Sequence, residues 1–557
     1  MIIIGIMNKK TIITALLALV ALTGQAKELT TGMLPADWFT TDSVTIRGRI
    51  EDYDAERLGF SAMECYLHDV TVKDRGSLTM DINPDGTFEK RFVLSYPMKL
   101  SFSTSYKAKT DFDRIPFFAR PGEVVDVTVR QNELGKYECF YNGGSSKDVE
   151  RWLKTDLQLM KLTRPLSYFK GTLAEANQMA DTTWQKLVDR FGAVSRREQF
   201  TPLETRLAMA EIQSAFAWAY LDYVMYHGDN LMEWVLRDGS LQAEISDSTE
   251  WLYFSNPENY TALRRIDFNN PWLMTYDNFH VLINRIQFSK YVYTRKYEGV
   301  SDGHGFYETT VQNETKILSN TVDALCAMLG TDSHNLTVQL CIYTDLLGNF
   351  NSWRQYEEEL LEVLADTTVT ETEKQDFPTL TKMYPLYLAA LTHPHIHKKA
   401  EQFRADKMAQ AELATPLPDN PAADLIRQMS AKYPGRYLVL DFWGMGCGPC
   451  RAAIQQSKAM RAELAKRDDV KLVFIAEERT AEGSEAYHKY VGEWLADEET
   501  VCLDRTAFRR LQELFRFTSI PHYETITPDC RRVRDDLCIS SYYNIDDGLK
   551  QLKEKLK

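Results

Sequence analysis

The stretch LVLDFWGMGCGPCR, residues 438–451, decides the fold of the C-terminal part of this chain. An apolar run rich in β-forming residues ends in a glycine-flanked turn, and the turn ends in two cysteines, Cys447 and Cys450. The run that follows, residues 452–464, is compatible with a helix. The first thiol therefore lies at a predicted helix N-terminus, where backbone N–H groups and the helix dipole favour the thiolate. The second lies one turn later, close enough for a disulfide, so the pattern predicts a redox site.

At these residues the chain resembles the thioredoxin superfamily, because the Asp-Phe-Trp run and the Cys-Gly-Pro-Cys motif have the spacing found in thioredoxin. The resemblance covers residues 414–557, the length of one domain. Within the superfamily the chain is most similar to the TlpA-like thiol–disulfide reductases of the bacterial envelope. In that group the thioredoxin-like domain often ends a longer chain.

The resemblance implies a role for each residue around the motif. Cys447 is expected to attack a substrate disulfide as a thiolate, and Cys450 to resolve the mixed disulfide. Asp441 matches the buried acid that takes the proton from the second cysteine; the alternative is a solvated aspartate at a strand end. Gly448 and Pro449 set the reducing power in this family, and a Gly-Pro pair implies a reductant. No cofactor is expected beyond the redox-active disulfide Cys447–Cys450.

A second segment of the chain matches the substrate-binding loop of the family. Ile520 and Pro521 match the cis-proline loop, whose backbone pairs with the substrate chain. Trp443 is expected to contribute to the same substrate-binding surface. His522 follows the proline where the family usually has threonine, and its imidazole either tunes Cys447 or faces solvent.

Besides His522, three positions depart from the family pattern. Gly446 stands where thioredoxin has tryptophan, which removes an aromatic side chain from the substrate face. Ala453 and Gln455 stand where envelope reductases often have glutamate and proline. Asp441 is therefore expected to act without a second acid, and the substrate class is left open.

Metal binding is a weaker interpretation of the cysteines and histidines. A structural zinc site needs a second close pair, and Cys530 and Cys538 have the wrong spacing for one. His393, His395 and His397 could chelate a metal if their segment were extended, but no acidic or cysteine partner stands at a recognisable spacing. No metal site is therefore predicted. The seven cysteines outside the motif are an odd number, so at least one is expected to be free in a monomer.

The N-terminus has the pattern of a secretory signal peptide. Residues 8–10 carry a net positive charge, and residues 11–22 form an apolar segment. Residues 24–26 provide the small side chains needed for cleavage after Ala26. Translation is expected to start at Met7. The alternative to a cleaved signal peptide is an uncleaved membrane anchor. The body of the protein is therefore predicted to lie in an oxidising compartment, most simply the bacterial periplasm.

Length and patterning predict a multidomain chain. With 557 residues the chain is too long for a single core. Residues 43–50 alternate apolar and polar side chains, and the turn signal at residues 83–86 predicts a hairpin. Thr201 and Pro202 open a run with helical spacing, and residues 414–421 form a proline-rich linker. The predicted divisions are a signal peptide (1–26), an N-terminal all-β sandwich (27–145), an α-helical middle domain (146–413) and a C-terminal α/β thioredoxin-like fold (414–557).

Two functional hypotheses follow. The first is a periplasmic thiol–disulfide reductase that acts on disulfide-bearing envelope proteins and depends on a membrane electron donor, since the compartment is oxidising. The second is a non-enzymatic envelope protein that uses the thioredoxin-like domain for docking or redox sensing. A nucleic-acid partner is not expected, because the formal net charge of -14 would repel phosphates.

Overall fold

The computed structural model describes residues 38–556, except for positions 73–75, 105–111, 238–239, 301–306, 366–367, 369, 371–373 and 411. The predicted signal peptide, residues 1–26, lies outside the described residues. Within the described ranges no helix combines the length and the apolar character needed to cross a membrane.

The N-terminal part contains two four-stranded sheets and one short helix, α1 (Ala55–Leu58). The strands are β1 (Asp42–Ile50), β2 (Ala62–Leu67), β3 (Gly76–Asp81), β4 (Thr87–Leu94), β5 (Met98–Ser103), β6 (Arg114–Ala119), β7 (Val124–Gln131) and β8 (Tyr137–Tyr141). Their order is β4-β1-β7-β8 in one sheet and β3-β2-β5-β6 in the other, and β1 and β7 are parallel. Alternate residues of β1, such as Val44 and Ile46, are fully buried, so the period-two pattern of the sequence marks the inner face of the first sheet.

The hairpin predicted around residues 83–86 is wrong in its pairing. The turn exists: Gly86 adopts a φ of 83°, and its N–H donates to the carbonyl oxygen of Asn83 at 2.8 Å. Beyond one isolated bridge between Ile82 and Phe88, however, β3 and β4 belong to different sheets. The strands separate because both sheets bury side chains in the same core: Phe92 of β4 contacts Phe117 of β6, with ring centroids 6.2 Å apart.

The middle part is mostly helical, with a two-stranded antiparallel ribbon, β9 (Met232–Arg237) and β10 (Ser240–Ile245). The helices are α2 (Gly144–Asp148), α3 (Glu150–Leu153), α4 (Leu159–Ser167), α5 (Leu173–Glu198), α6 (Pro202–Leu231), α7 (Ser248–Phe254), α8 (Phe279–Gln287), α9 (Lys290–Lys296), α10 (Val311–Leu329), α11 (Leu336–Ala365), α12 (Leu380–Ala390) and α13 (Pro394–Ala409). Three 3-10 turns (Pro257–Asn259, Thr261–Arg265, Pro271–Thr275) connect α7 and α8. The predicted cap of α6 is confirmed, because Thr201 and Glu204 form a reciprocal capping box and Pro202 occupies the first turn.

The sheets and these helices share one hydrophobic core, which extends from Trp38 to Ala400. Trp152 of α3 lies between them: its ring contacts Phe118 of β6, and its indole N–H donates to Glu211 of α6 at 2.8 Å. Lys99 of β5 forms an ion pair with the same carboxylate at 2.8 Å. Polar and apolar contacts therefore join the β-rich and helical parts into one packed body.

The histidine segment after α12 is helical and packed. The 16-residue helix α13 begins at Pro394, whereas an extended segment would be needed for three alternate histidines to chelate one ion. His395 stacks on Phe39 with ring centroids 4.2 Å apart, and His397 Nδ1 lies 2.9 Å from the carbonyl oxygen of Leu391. No group of three metal-ligating side chains with suitable geometry occurs in the described part of the chain.

The C-terminal part is a six-stranded sheet with helices on both faces. Its elements are β11 (Ala414–Pro416), α14 (Pro421–Lys432), β12 (Tyr437–Gly444), α15 (Gly448–Gln456), α16 (Lys458–Leu464), β13 (Val470–Glu478), α17 (Glu485–Trp494), β14 (Glu499–Asp504), α18 (Arg505–Phe515), β15 (His522–Ile526), β16 (Arg531–Val533) and α19 (Ile545–Lys555). The strand order is β11-β16-β15-β12-β13-β14; β12, β13 and β14 are parallel, and β15 is antiparallel to β12. Helices α15, α16, α17 and α19 cover one face, and α14 and α18 cover the other.

The arrangement of strands and helices in this part is a thioredoxin-like fold. A parallel βαβ unit, β12-α15-α16-β13, is followed later by an antiparallel pair, β15 and β16, and a closing helix, α19. The central strand β12 is buried along its whole length, as expected for a strand covered on both faces. The motif cysteines lie directly after this strand.

Helix α18 joins the C-terminal part to the N-terminal sheets through charged side chains. Glu64 of β2 is 4% exposed and accepts from Arg505 Nε at 3.0 Å and from the Thr506 hydroxyl at 3.2 Å. Lys90 and Asp81 form further ion pairs with the same helix, to Glu513 and Arg510 respectively. The thioredoxin-like part therefore sits in a defined place on the rest of the molecule.

Candidate active site

The motif cysteines form a disulfide at the first turn of α15, and their Cα atoms are 5.3 Å apart. Cys447 is the N-cap residue of this helix, and its sulfur accepts the backbone N–H of Cys450 at 3.1 Å. Cys447 is partly exposed, whereas Cys450 is 1% exposed. A substrate can therefore reach only the first sulfur, which also lies at the positive end of the helix dipole.

An open cleft of about 520 Å³ lies over Cys447. Gly448 and Pro449, the two intervening residues, are exposed and form part of its rim. The other lining residues are Gly444, Met445, Gly446, Glu477, Glu478, Arg479, Arg505 and Ile520. Through Arg505, which binds Glu64 of β2, the N-terminal sheets contribute to the position of one wall of the cleft.

Asp441 lies on the face of β12 that Cys450 covers. Its neighbours at alternate positions, Val439 and Trp443, pack in the same hydrophobic cluster as Cys450. The carboxyl is 3% exposed; Tyr542 donates its hydroxyl proton to Oδ2, and Oδ1 has no hydrogen-bond partner within the described ranges.

Burial raises the pKa of Asp441 to about 7, although the hydrogen bond from Tyr542 and the nearby charge of Arg461 favour the ionised form. The carboxyl can therefore bind and release a proton near neutral pH. A carboxyl with this property, on the same face of β12 as the buried Cys450, is suited to accept a proton from that residue when the pair is reduced.

Two residues near Asp441 were not predicted from the sequence. Tyr542 is 101 positions away along the chain and reaches Asp441 only because the last segment folds back over the sheet. Arg461 is buried in an ion pair with Glu498 at 2.7 Å, and its guanidinium lies over Phe474. A tyrosine before the last helix and an arginine inside a helix carry no local signal of a role at the site.

The proline loop lies beside the cleft. The peptide bond between Ile520 and Pro521 is cis, as the resemblance implies. Ile520 lines the cleft together with Cys447, and its Cδ1 would lie 3.5 Å from a Cβ atom built on Gly444. The loop and the motif turn therefore face each other across the end of β12.

Trp443 is not placed as a substrate contact. Its side chain is 0% exposed, and its ring packs on Tyr487 and Tyr490 of α17, with centroids 5.9 and 5.3 Å away. The alternation of β12 puts this residue in the core beneath the cleft, so the expected surface role does not agree with the structure.

His522 is turned away from Cys447. It pairs with Phe442 in the sheet, and its ring stacks on Phe517 with centroids 4.0 Å apart, on the face covered by α18. Its Nε2 lies 2.9 Å from a carboxylate oxygen of Glu524. Because Cys450 packs against the opposite face of the sheet, this placement does not support a tuning role for His522. The stacking on Phe517 also shows that the ring does not simply face solvent.

The seven other cysteines are unpaired, so the prediction of at least one free thiol is confirmed. Burial raises the pKa of Cys65, Cys139 and Cys538 to about 12, and that of Cys326 and Cys502 to about 11. A thiol that stays protonated is a poor nucleophile. These five thiols are therefore poor candidates for the reactive sulfur of the molecule.

No family model matches this chain, and no curated protein matches it. Among solved structures it is similar to the thioredoxin domain of a thiol-disulfide oxidoreductase from Bacteroides vulgatus, with 19% identity over 23% of this chain and 82% of that chain, and a TM-score of 0.18. A thiol:disulfide interchange protein from Bacteroides sp. shows 20% identity over 22% of this chain and 80% of that chain, with a TM-score of 0.18. A thioredoxin-like protein from Bacteroides caccae shows 11% identity over 53% of this chain and 94% of that chain, with a TM-score of 0.22. At these values the likenesses carry no functional argument, and the thioredoxin-like fold stands on the strand order and on the disulfide at the start of α15.

Proposed function

We propose that the protein is a thiol–disulfide oxidoreductase of the bacterial periplasm that reduces disulfides of envelope proteins, in the manner of the TlpA-like reductases. One observation carries the proposal: a reachable sulfur, Cys447, caps helix α15, and a buried carboxyl whose pKa is raised to about 7, Asp441, lies on the face of β12 that this helix covers. This arrangement provides a nucleophile, a resolving thiol and a proton acceptor in one place.

The reaction begins from the reduced pair. The thiolate of Cys447 attacks one sulfur of the substrate disulfide, and the other substrate sulfur leaves as a thiolate that takes a proton. Cys450 then attacks the Cys447 sulfur of the mixed disulfide while Asp441 accepts its proton, and the second substrate sulfur leaves as a thiolate that takes a proton. The substrate gains two electrons as it becomes a dithiol, and Cys447 and Cys450 lose two electrons as they form their own disulfide.

Two features of the sequence support the proposed direction and compartment. The Gly-Pro pair between the cysteines matches that of a reductant, and residues 8–26 have the pattern of a secretory signal. A reductase in an oxidising compartment needs a supply of electrons, so we propose that a membrane protein with a reactive dithiol returns Cys447–Cys450 to the reduced form.

Trapping of the mixed disulfide tests the proposal. The Cys450→Ser variant keeps the nucleophile but lacks the resolving thiol, so reduced variant protein mixed with an oxidised envelope extract is expected to form covalent adducts that dithiothreitol releases. The control variant, Cys447→Ser, is expected to form none, because Cys450 is buried. Equal adduct yields for the two variants, or none for either, would favour the non-enzymatic docking role.

A further inference from the structure

A second cavity of about 1120 Å³ lies where the helical part meets the thioredoxin-like part, and we call it the interdomain groove. Leu347, Gly348 and Asn351 of α11 form part of one wall. Pro521 lines the groove, whereas Ile520, the preceding residue, lines the cleft over Cys447. The two cavities therefore adjoin each other at the proline loop.

One charged residue of the groove is left unpaired. Arg532 binds Glu524 and Asp535, at 2.8 and 3.1 Å, and these contacts neutralise much of the charge in the lining. Arg516, at the end of α18, is exposed, and its side chain has no hydrogen bond or ion pair with any residue in the described ranges. An exposed arginine without a partner is suited to bind a carboxylate that comes from outside the chain.

The rest of the lining suits a polypeptide. The lining combines apolar residues, such as Leu347 and Phe517, with residues that carry hydroxyl or amide groups, such as Ser519 and Asn351. An extended chain presents apolar side chains and backbone hydrogen-bonding groups together, and such a mixed surface accommodates both.

We propose that the interdomain groove binds the segment of an extended polypeptide that flanks the disulfide being reduced, and that it favours a segment with an acidic side chain near Arg516. The inference rests on the proposed function, because the segment is placed by the disulfide held over Cys447. It assigns a role to the helical part of the molecule, which supplies a wall of the substrate site through α11.

Gly348 gives a direct way to block the groove. A Cβ atom built on this residue meets no heavy atom within 4 Å, and the residue is exposed on α11. The side chain of the Gly348→Trp variant therefore starts in open space on the groove wall, and we expect it to occupy the groove. We also expect α11 to be retained, because glycine is the weakest ordinary helix former. Gly492→Trp on α17 is the matched control, since Gly492 is equally open but lines neither the groove nor the cleft.

The experiment measures single-turnover rate constants of pre-reduced protein with two kinds of disulfide. One is 2-hydroxyethyl disulfide, which is too small to reach the groove. The other is a series of peptides with the same internal disulfide and progressively longer acidic flanks. For the wild-type protein and Gly492→Trp, the rate constant is expected to rise with flank length. For Gly348→Trp it is expected to stay flat, about tenfold below the wild-type value for the longest peptide, with an unchanged rate for the small disulfide.

A second variant tests the charge. Arg516→Asn removes the cation, and asparagine accepts the positive φ of 58° at this position. The wild-type protein is expected to reduce peptides with acidic flanks about threefold faster than peptides with neutral flanks, and the variant is expected to reduce both at one rate.

The outcomes separate the two claims. If the wild-type protein reduces the small disulfide but shows no dependence on flank length, or if Gly348→Trp reduces long peptides as fast as Gly492→Trp does, the groove has no role and the proposed function stands. If the wild-type protein reduces neither kind of disulfide, the proposed function fails and the inference fails with it.

Discussion

Asp441 is a buried carboxyl with one hydrogen bond, from Tyr542, and one oxygen that has no partner in the described part of the chain. A buried polar atom without a partner destabilises a fold unless it carries a proton or serves a function. Here the raised pKa supplies the explanation, because near neutral pH this carboxyl is partly protonated.

The same group makes stability depend on pH. Its pKa is about 7 in the folded protein and about 3.9 in an unfolded chain, so the folded state holds the extra proton between these values. The stabilising contribution is fully present below about pH 4 and is lost as the pH rises through about 7. Asp441→Asn keeps the shape and removes this dependence.

We therefore compare the free energy of unfolding of Asp441→Asn with that of the wild-type protein. The difference, variant minus wild type, is expected to rise by roughly 4 kcal/mol between pH 4 and pH 8. Urea unfolding of the oxidised proteins across this range measures it. Curves that stay parallel at all pH values would show that the pKa of Asp441 is the same in the folded and unfolded protein, which would contradict the raised pKa.

The sequence predicted the members of the candidate site that lie close together along the chain. Cys447, Cys450 and Asp441 belong to one strand-turn-helix unit, so their relative positions follow from the chain itself. Tyr542 comes from a distant segment, and its contact with Asp441 depends on the packing of the whole domain. Trp443 was misplaced because a match to a motif does not show which face of a buried strand a side chain occupies.

At the scale of elements, the N-terminus of α15 is expected to influence the chemistry of the Cys447–Cys450 pair. The N–H of Cys450 and the dipole of the helix both favour negative charge on the sulfur of Cys447. A more stable thiolate makes the reduced form more stable and the reduction potential more positive. A cation placed in the first turn of this helix is therefore expected to make the protein a weaker reductant.

Pro449→His places such a cation on the exposed rim beside Cys447. We expect the reduction potential to rise by at least about 30 mV, which is a tenfold change in the equilibrium constant of a two-electron couple. His522→Phe is the control, since that ring lies on the other face of the sheet, and its potential is expected to match the wild-type value. Equal shifts in the two variants would mean that His522 influences the pair after all.

Elements with strong periodicity were predicted close to their observed bounds, and breaks within them were missed. The run of residues 452–464 suggested one helix, but the structure has α15 and α16, separated at Ser457. The Ser457 hydroxyl donates to the carbonyl oxygen of Ile454 and accepts from Arg461. Serine side chains that bond to the backbone compete with helical hydrogen bonds, an effect that apolar spacing does not reveal.

At the scale of the whole molecule, the thioredoxin-like part is held to the N-terminal sheets by a buried acid. Glu64 binds Arg505 and Thr506, and Arg509 lies 3.8 Å from the same carboxylate. The sequence did not predict this contact, because β2 and α18 are separated by more than 400 positions and neither carries a pattern that names its partner.

Glu64→Gln removes one partner of this group and leaves arginine charges against a neutral side chain. We expect the free energy of unfolding to fall by about 3 kcal/mol, because a partly buried cation loses its counter-charge. Asp81→Asn is the matched control: it also breaks an ion pair to α18, but the Asp81 side chain is 63% exposed, and a change of at most about 1 kcal/mol is expected. Urea unfolding of the two variants measures the change. An equal loss of unfolding free energy in Glu64→Gln and Asp81→Asn would contradict a special stabilising role for the Glu64 contact.

The central claim is that Cys447 and Cys450 form a reducing dithiol. The most direct test is the reduction potential of this pair in the purified protein, measured by equilibration with dithiothreitol or glutathione buffers. We expect a reduction potential of about −270 mV, as for thioredoxin. A value near about −120 mV, as for a strong oxidant, or a pair that does not exchange with the buffer at all, would contradict it.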